Sequence, residues 1–300
     1  MQESMPYTYQ APGWGLRYLM CPPTYFAVLY SINPWMDPAD RVDGDLAGSQ
    51  WNRLAGMIQA AGARIEQITP VSGLPDMVFT ANAGLVDGDR FIPARMKHAE
   101  RRDEPAYFSR WFTANGYRVV TGPGARTQEG AGDALPFNGY LIAGYGQRSH
   151  RRAWTALGDG ARIAVRPARL VDPRYYHIDI AFCPLDDRTA LFAPHAFSAA
   201  GCRMLTLLVP DLVPLTPEET ALFCANSVVV GRTVIMPACT ARLGRLLEQR
   251  GFEVAVADIS EFLKAGGGCR CLTLALDPVL SRGAVPGRRP VETAAGHEGR

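Results

Sequence analysis

Hydrophobic and polar residues alternate in a way that predicts paired strands at four places along the chain. At each place a polar, often glycine-containing stretch leads into a strand, a tight turn follows, and a second strand returns. These segments are residues 77–94, 134–145, 177–194 and 226–237, with turns at Asp87-Gly88-Asp89, Asn138-Gly139, Asp186-Asp187-Arg188 and Gly231-Arg232. The turns recur about every 44–50 residues, which indicates a repeat architecture.

Segments with apolar residues at helical spacing lie between these hairpins. Helices are predicted over residues 51–64, around Phe108 as far as Asn115-Gly116, and over residues 241–249. Thr216-Pro217-Glu218-Glu219 predicts a further helix start, because it combines an N-cap residue, a first-turn proline and two first-turn acids.

A fifth repeat is predicted to be split between the two ends of the chain. Leu16 to Cys21 reads as an N-terminal strand and Cys271 to Leu276 as a C-terminal strand, and their pairing would close a ring. The predicted fold is α/β: a five-fold pseudosymmetric α/β propeller of strand–strand–helix–strand units. We expect one catalytic domain over residues 13–280, an N-terminal extension over 1–12, and a disordered tail over 281–300 that is rich in glycine, proline and charge.

Composition narrows the class of protein. Hydrophobic residues make up 47% of the 300 residues, enough for a sizeable core, and the net charge of +2 gives no sign of nucleic acid binding. No apolar run approaches the ~20 residues of a membrane span. Seven cysteines without a recognisable secretion signal favour free thiols in a reducing compartment. We therefore expect a cytoplasmic protein without nucleic acid or membrane partners, and homo-oligomers are compatible with the sequence.

Chemically active residues occur at the inner end of each predicted repeat. Cys271 follows Gly266-Gly267-Gly268, where the missing side chains allow a ligand or another backbone to approach closely. The other units supply Asn82, the pair Glu129 and Asp133, the pair His177 and Asp179, and Asn226. In a ring these positions converge, and packing alone does not explain a thiol, an imidazole and several carboxylates at one point.

The sequence resembles the guanidino-group-modifying enzymes of the pentein superfamily, which holds arginine deiminases, dimethylarginine dimethylaminohydrolases and arginine amidinotransferases. The matching motifs, in the order of that family, are Glu129-Gly-Ala-Gly-Asp133, His177-Ile-Asp179, Asn226 within Cys-Ala-Asn-Ser-Val, and Gly-Gly-Cys-Arg-Cys271. Further motifs resemble the arginine dihydrolase branch: Met20-Cys-Pro-Pro23, Ile32-Asn33-Pro34-Trp35-Met36 and the segment from Pro75 to Gly84.

The chemistry of a guanidinium group fits these residues. Its carbon is resonance-stabilised, so attack requires a strong nucleophile such as a thiolate, and its positive charge suits carboxylate partners. The resemblance implies that Cys271 attacks, ammonia leaves, a thiouronium intermediate forms, and His177 acts as acid and base. It implies no metal and no cofactor, and a small guanidino compound as substrate.

Individual assignments follow from the same resemblance. The nucleophile of the family follows Gly-Gly and two further residues, which selects Cys271 over Cys269. On a strand both cysteines would face the same side, so Cys269 is a candidate for the site lining. Glu129 is expected on the catalytic side, with Asp133 as a second substrate contact. Asp179 is expected to hold the guanidinium.

The remaining candidates concern the rest of the substrate. Arg101 is a candidate for its α-carboxylate, although a solvated helix charge is an equally good interpretation. Asn82 is a neutral amide where deiminase and dimethylargininase relatives tend to hold charged groups, and an amide suits a citrulline-like ureido group. Asn33 is predicted to cooperate with it, although Asn-Pro is also an ordinary turn.

These assignments favour an arginine dihydrolase that yields ornithine, ammonia and carbon dioxide. Dimethylarginine hydrolysis to citrulline is the first alternative and amidino transfer the second. Two interpretations of another class are a non-catalytic pentein binding protein, since fold alone does not give activity, and a thiol oxidoreductase based on Cys269-Arg270-Cys271.

Overall fold

A computed structural model describes residues 12–122 and 124–280. Fifteen strands occur in this part of the chain: β1 (Arg17–Met20), β2 (Arg64–Gln67), β3 (Gly84–Asp87), β4 (Arg90–Pro93), β5 (Arg118–Val119), β6 (Ala134–Phe137), β7 (Tyr140–Tyr145), β8 (Val165–Arg169), β9 (Phe182–Pro184), β10 (Thr189–Phe192), β11 (Asp211–Pro214), β12 (Val228–Val230), β13 (Thr233–Met236), β14 (Glu253–Val256) and β15 (Leu274–Ala275). The predicted disordered tail and all but the last residue of the predicted extension lie outside the described residues.

Helices alternate with these strands. In chain order they are α1 (Gly44–Ala60), α2 (Glu104–Ala114), α3 (Arg151–Ala161), α4 (Ala199–Leu208), α5 (Pro217–Ala221), α6 (Ala241–Glu248) and α7 (Ser260–Leu263). In the described residues no helix is both long enough and apolar enough to cross a membrane.

The strands form five separate three-stranded sheets with one repeated topology. Their strand orders are β15-β1-β2, β3-β4-β5, β6-β7-β8, β9-β10-β11 and β12-β13-β14. In each sheet the middle strand pairs antiparallel with one neighbour and parallel with the strand that follows a helix. The antiparallel pair is a hairpin in every sheet except β15-β1-β2. The five predicted strand–strand–helix–strand units are therefore present, and each forms its own sheet rather than part of one closed sheet.

The split unit is confirmed. Strand β1 pairs antiparallel with β15, with Tyr18 opposite Ala275 and Leu19 opposite Leu274. On its other edge β1 pairs parallel with β2, so the two ends of the chain complete one sheet. The carboxylate of Asp277 reinforces this junction by accepting hydrogen bonds from the backbone N–H groups of Gly15 and Leu16, at 2.9 and 2.7 Å.

The predicted hairpin turns and helix caps are also confirmed. Asn138 and Gly139 have φ values of 43° and 74°, the left-handed pair that a two-residue type I′ turn requires between β6 and β7. Helix α5 begins with a capping box in which the Thr216 hydroxyl accepts from the Glu219 N–H and the Glu219 carboxylate accepts from the Thr216 N–H. Helix α1 begins at Gly44, earlier than its apolar spacing indicates, because Asp43 caps it.

The segments that lead into the sheets differ from the strands predicted there. Short 3₁₀ turns occupy Thr80–Ala83, Gly130–Gly132 and Ile178–Ile180, each just before the first strand of a unit. Cys271 likewise lies in a turn before β15 rather than on a strand. These tight turns direct the candidate side chains toward the interior before each strand begins. Separate units thereby supply residues to one buried site.

Candidate active site

A small cavity brings together residues from several units. It is lined by Ile32, Asn33, Met36, Asp76, Phe79, Asn82, Arg101, Arg148, Tyr176, Ala265, Gly267 and Cys271. Four predicted site residues are therefore in its wall, and His177, Glu129 and Asp179 each contact a residue of the wall. A larger cleft elsewhere, which includes the exposed residues Arg95, Arg102 and Arg126, contains none of the predicted site residues. The chemistry of the side chains thus identifies the smaller cavity as the candidate active site.

The glycines before Cys271 are needed for close packing. A Cβ atom at Gly267 would overlap the ring of Phe79, and one at Gly268 would overlap the side chain of Asn226. The backbone that carries Cys271 therefore runs directly against these two neighbours, as expected for glycines that permit close approach. Cys271 is 2% exposed, so only a ligand that enters the cavity reaches its thiol.

Asn226 fixes the position of Cys271. Its side-chain oxygen accepts hydrogen bonds from the N–H groups of Arg270 and Cys271, at 2.9 and 3.2 Å, and its Nδ2 donates to the Cys271 Sγ at 3.2 Å. The preceding turn contains Phe223 with a φ of 59°, an uncommon conformation for an aromatic residue. The sequence places Asn226 at the inner end of its unit without indicating its role, and the motif Cys-Ala-Asn-Ser-Val is the only signal that marks it.

Asp179 lies beside the thiol, with Oδ2 3.4 Å from the Cys271 Sγ. Its Oδ1 is buried without a hydrogen-bond partner among the described residues. Burial raises the pKa of Asp179 to about 7 and, together with the nearby Asp179 charge, raises the pKa of the Cys271 thiol well above its usual range. A cation in the cavity would lower both pKa values, because it favours carboxylate and thiolate together.

His177 and Glu129 form a buried pair, with 2.7 Å between His177 Nε2 and Glu129 Oε2. Burial lowers the pKa of His177 to about 4, although Glu129 opposes this effect. Burial alone would raise the pKa of Glu129, but the hydrogen bond from His177 and the charge of Arg148 outweigh it and hold that pKa well below its usual range. His177 is therefore a neutral base near neutral pH.

The hydrogen bonds of Asn82 define which nitrogen of His177 carries the proton. Arg101 Nη1 donates to Asn82 Oδ1 at 2.9 Å, and a guanidinium can only donate, so the amide oxygen must face Arg101. Asn82 Nδ2 then faces His177 Nδ1 at 3.4 Å as a donor. Nδ1 is consequently the unprotonated nitrogen, and Nε2–H donates to Glu129.

Asp133 makes its contacts within the protein framework. Its Oδ1 accepts from the Ile178 N–H at 3.1 Å, and its Oδ2 accepts from the Ser149 hydroxyl at 2.6 Å. Ser149 Oγ in turn accepts from the Glu129 N–H at 2.9 Å. The carboxyl group therefore links the backbone segments that carry Glu129 and His177. Its role as a second substrate contact stays a prediction.

Arg101 is buried and largely engaged. It forms a two-point ion pair with Glu104 at 2.9 and 2.8 Å and donates to the Asp76 carbonyl at 3.1 Å, in addition to Asn82. One N–H, on Nη1, remains for a ligand. The interpretation of Arg101 as a solvated surface charge is excluded, since the residue is 4% exposed and lines the cavity.

Two charged residues of the cavity wall were not predicted from the sequence. Arg148 stacks on Tyr176, with its guanidinium carbon 4.7 Å from the ring centroid, and donates to Glu129 and to the Ile32 carbonyl. Asp76 is buried, accepts from the Tyr30 hydroxyl at 3.0 Å, and has an Oδ1 without a hydrogen-bond partner among the described residues. Arg148 stands outside the motifs of the resemblance, and Asp76 lies in the segment from Pro75 to Gly84, where only Asn82 was given a role.

Asn33 and Cys269 occupy different surroundings. Asn33 lines the cavity, while its amide donates to the Ala265 carbonyl and accepts from the Trp35 N–H. Cys269 packs in the hydrophobic cluster below the nucleophile, and burial raises the pKa of its thiol. Since residues 269–271 form a turn, the alternation of a strand does not relate the two cysteines.

Similar proteins are known. The N(G),N(G)-dimethylarginine dimethylaminohydrolase of Mycobacterium tuberculosis is 39% identical over 87% of this chain and 86% of its own length. The bifunctional arginine dihydrolase/ornithine cyclodeaminase AgrE of a Nostoc species is 40% identical over 86% of this chain, which spans 37% of that longer protein. No protein-family model matches the chain.

The N-terminal domain of ArgZ, a cyanobacterial arginine dihydrolase, has a similar solved structure. It is 38% identical, with a TM-score of 0.84, covering 88% of this chain and 99% of that domain. It has been solved as a cysteine-to-serine variant bound to substrate and as an asparagine-to-serine variant bound covalently to a reaction intermediate. The pentein-type α/β fold and the enzyme class predicted from sequence are thus confirmed. This chain belongs to the pentein family of guanidino-modifying hydrolases that contains dimethylarginine dimethylaminohydrolases and arginine dihydrolases.

Proposed function

We propose that this hydrolase is an arginine dihydrolase, which converts arginine to ornithine, two ammonia and carbon dioxide. The observation that carries the proposal is the neutral amide of Asn82 in the cavity wall, held between Arg101 and His177. A half-processed ureido group is neutral and needs both donors and acceptors, which an amide provides and a carboxylate does not.

The first half of the reaction begins with the substrate's guanidinium next to Asp179. Its positive charge favours transfer of the Cys271 proton to His177, and the imidazolium that results is stabilised by the Glu129 carboxylate. The thiolate then attacks the guanidinium carbon. His177 returns its proton to the departing nitrogen, which leaves as ammonia, and a thiouronium remains bound to Cys271.

The cationic thiouronium is then hydrolysed. His177 accepts a proton from water, whose oxygen attacks the thiouronium carbon and releases a ureido product with a free Cys271 thiol. In a dihydrolase this neutral product stays, and Cys271 attacks its carbon while a second ammonia leaves. Water then hydrolyses the resulting thiocarbamate, which frees the Cys271 thiol and gives ornithine and carbon dioxide. The captured intermediate of the asparagine-to-serine ArgZ variant supports a role for an asparagine in these steps, and Asn33, Asn82 and Asn226 are the asparagines of this site.

The rest of an amino acid substrate would be held by the charged groups of the cavity wall. Among the described residues Arg148 donates two hydrogen bonds, which leaves further N–H groups for a ligand. We therefore assign it to the α-carboxylate together with the one remaining N–H of Arg101. The unpaired Oδ1 of Asp76 suits an α-ammonium group. These assignments add Arg148 and Asp76 to the site predicted from sequence.

Dimethylarginine hydrolysis to citrulline is the second candidate. It is favoured by the Mycobacterium tuberculosis relative, whose 39% identity extends over 86% of its length. Incubation of the protein with arginine, citrulline and dimethylarginine in parallel, followed by chromatography, separates the two. Ornithine from arginine supports the dihydrolase, whereas citrulline and dimethylamine from dimethylarginine, with arginine unchanged, support the alternative.

We also propose that the five sheets surround one pseudo-five-fold axis, so that residues 13–280 act as a single catalytic domain. The 3₁₀ turns Thr80–Ala83, Gly130–Gly132 and Ile178–Ile180 pack against one another in succession, and β15 packs against the first of them. Each turn supplies or adjoins a site residue, so no smaller part of the chain contains the whole site.

Asp179→Asn should weaken the binding of arginine by about ten- to a hundredfold, since a neutral amide loses a charge-assisted hydrogen bond to the guanidinium. Isothermal titration in a Cys271→Ser background, which prevents turnover, measures this affinity. Asp186→Asn at a remote hairpin turn supplies the matched control, because that carboxylate accepts hydrogen bonds from the backbone N–H groups of Arg188 and Thr189 in its own turn. Unchanged affinity in the Asp179 variant would refute its assigned role.

Asn82→Asp should stop the reaction at citrulline. Beside Arg101 the new carboxylate stays ionised, so it attracts the cationic guanidinium but has no N–H for the neutral ureido group. Chromatography should show that arginine is still consumed while citrulline replaces ornithine. Asn138→Asp, the same change at the β6–β7 turn, should leave the products unchanged. If the wild type itself releases citrulline and no ornithine, the dihydrolase assignment is wrong.

A further inference from the structure

Arg270 lies at the closed end of the site, directly behind the nucleophile. Its side chain borders two narrow cavities on the far side of Cys271. The first strands of all five sheets meet around these cavities, contributing among others Val86, Leu135, Cys183, Val229 and Ala275. Their lining is largely apolar. A cation therefore occupies the place where the five units come together.

The charge of Arg270 is unusual for so buried a position. The residue is 4% exposed, and its Nη1 has no hydrogen-bond partner among the described residues. Within that part of the chain no carboxylate forms an ion pair with it, and its one aromatic contact is Trp14, 5.3 Å from the guanidinium carbon to the ring centroid. Burial of a guanidinium that has no carboxylate partner among the described residues is costly, so the position is unfavourable for stability alone.

The side chain of Asn226 links the backbone of Arg270 to Asp179 and Cys271. The Arg270 N–H donates to Asn226 Oδ1, while Asn226 Nδ2 donates to the Asp179 carbonyl and to the Cys271 Sγ. Burial raises the pKa of Asp179 to about 7, and the charge of Arg270 is the largest influence in the opposite direction. The other titratable groups with an electrostatic effect on or from Asp179 are Cys271, Asp133, Tyr176 and Cys183. Arg270 is the only cation of this set.

We propose that Arg270 is a positioning residue for the hydrolase reaction: from behind the site, its buried guanidinium favours the carboxylate form of Asp179 that receives the substrate's cation. The proposal deepens the proposed function, since it rests on Asp179 as the partner of the guanidinium. It also explains why this buried position carries a cation, although an apolar side chain would pack there at a lower cost in free energy. No contact between Arg270 and the substrate is needed, because the charge acts through Asp179.

The test uses Arg270→Met, a neutral substitution of similar volume, with Arg270→Gln as a second neutral variant and Arg270→Lys as the charged control. The probe is 2-chloroacetamidine, a small amidinium that alkylates the thiolate, with adduct formation at Cys271 followed by mass spectrometry from pH 5 to 10. Neutral variants should move the acidic midpoint of the alkylation rate upward by about one pH unit or more, because an opposite charge at close range has an effect of that size. Arg270→Lys should move it less. Thermal unfolding of Arg270→Met should be unchanged or shifted to higher temperature.

The outcomes separate this proposal from the proposed function. If the probe fails to alkylate Cys271 of the wild type, the proposed function is wrong. If the wild type reacts but either neutral variant keeps its midpoint, or Arg270→Lys shifts it as far as Arg270→Met, the role of Arg270 is wrong. Failure of both neutral variants to fold would overturn it as well, since the proposal holds that the charge costs stability.

Discussion

Cys271→Ser should reduce turnover of arginine to background while the protein still folds. A serine hydroxyl is far less acidic than a thiol, and neither His177 nor a bound guanidinium can ionise it to a useful extent. The geometry favours retention of the fold, because Asn226 Nδ2 can donate to a hydroxyl as it does to the Cys271 Sγ. Steady-state assays of ammonia release and circular dichroism measure the two effects.

Cys269→Ser is the matched control, two residues away in the same turn. Its thiol lies in the hydrophobic cluster, so the variant should lose some stability by burying a hydroxyl but keep a substantial fraction of the activity. If Cys269→Ser were inactive and Cys271→Ser active, the assignment of the nucleophile would be off by two residues. If both were fully active, thiol catalysis itself would be excluded.

His177→Ala should lower kcat by about 10²–10⁴-fold with little change in the affinity for arginine, because it removes acid–base catalysis and not a substrate contact. The pH profile should identify the groups. With a pKa of about 4, His177 is already neutral throughout the range from pH 5 to 8. With a pKa of about 7, Asp179 gains its proton as the pH falls through neutrality. The acidic loss of kcat/KM near pH 7 should therefore belong to Asp179.

His195→Ala provides the matched loss of an imidazole outside the site, where the ring contacts the Tyr175 hydroxyl at 3.1 Å. It should leave kcat, KM and the pH profile near those of the wild type. A fall in affinity with unchanged kcat in His177→Ala would contradict the role of His177 as acid and base. The assignment of the acidic loss of kcat/KM to Asp179 would be contradicted if this loss disappeared in His177→Ala but persisted in Asp179→Asn.

Local signals made much of the fold predictable. Asn138-Gly139 determines a turn type within its own residues, and Thr216 with Glu219 closes a capping box within one helical turn. Helices α3 and α4 were not predicted, because α3 carries two internal glycines and α4 one, which weaken the helical signal. Tertiary packing compensates in α3, where Trp154 is fully buried and donates to the Gly144 carbonyl.

The candidate site was predictable only where a motif marks it. Cys271, His177 and Glu129 were recognised through their motifs, and the structure brings their units together. Arg148 and Asp76 were missed because their positions depend on contacts across the fold, such as Arg148 with Ile32, 116 residues away. The 3₁₀ turns were not predicted for the same reason. The residues that precede each sheet were interpreted as strand residues, but their conformation depends on contacts across the fold.

The pairing of β1 with β15 has a consequence for the order of folding. During synthesis β1 is made early and can pair with β2 once α1 and β2 have emerged, but its other edge has no partner until residues 274–275 emerge. The loop that joins β1 to β15 contains all the other strands, and closing so long a loop is slow. This pairing should therefore be among the last steps of folding. Cys271 precedes β15 by only three residues. The nascent chain should therefore acquire its nucleophile at the end of folding, when the other catalytic groups are already enclosed, and premature termination shortly before β15 should leave an open sheet edge prone to aggregation.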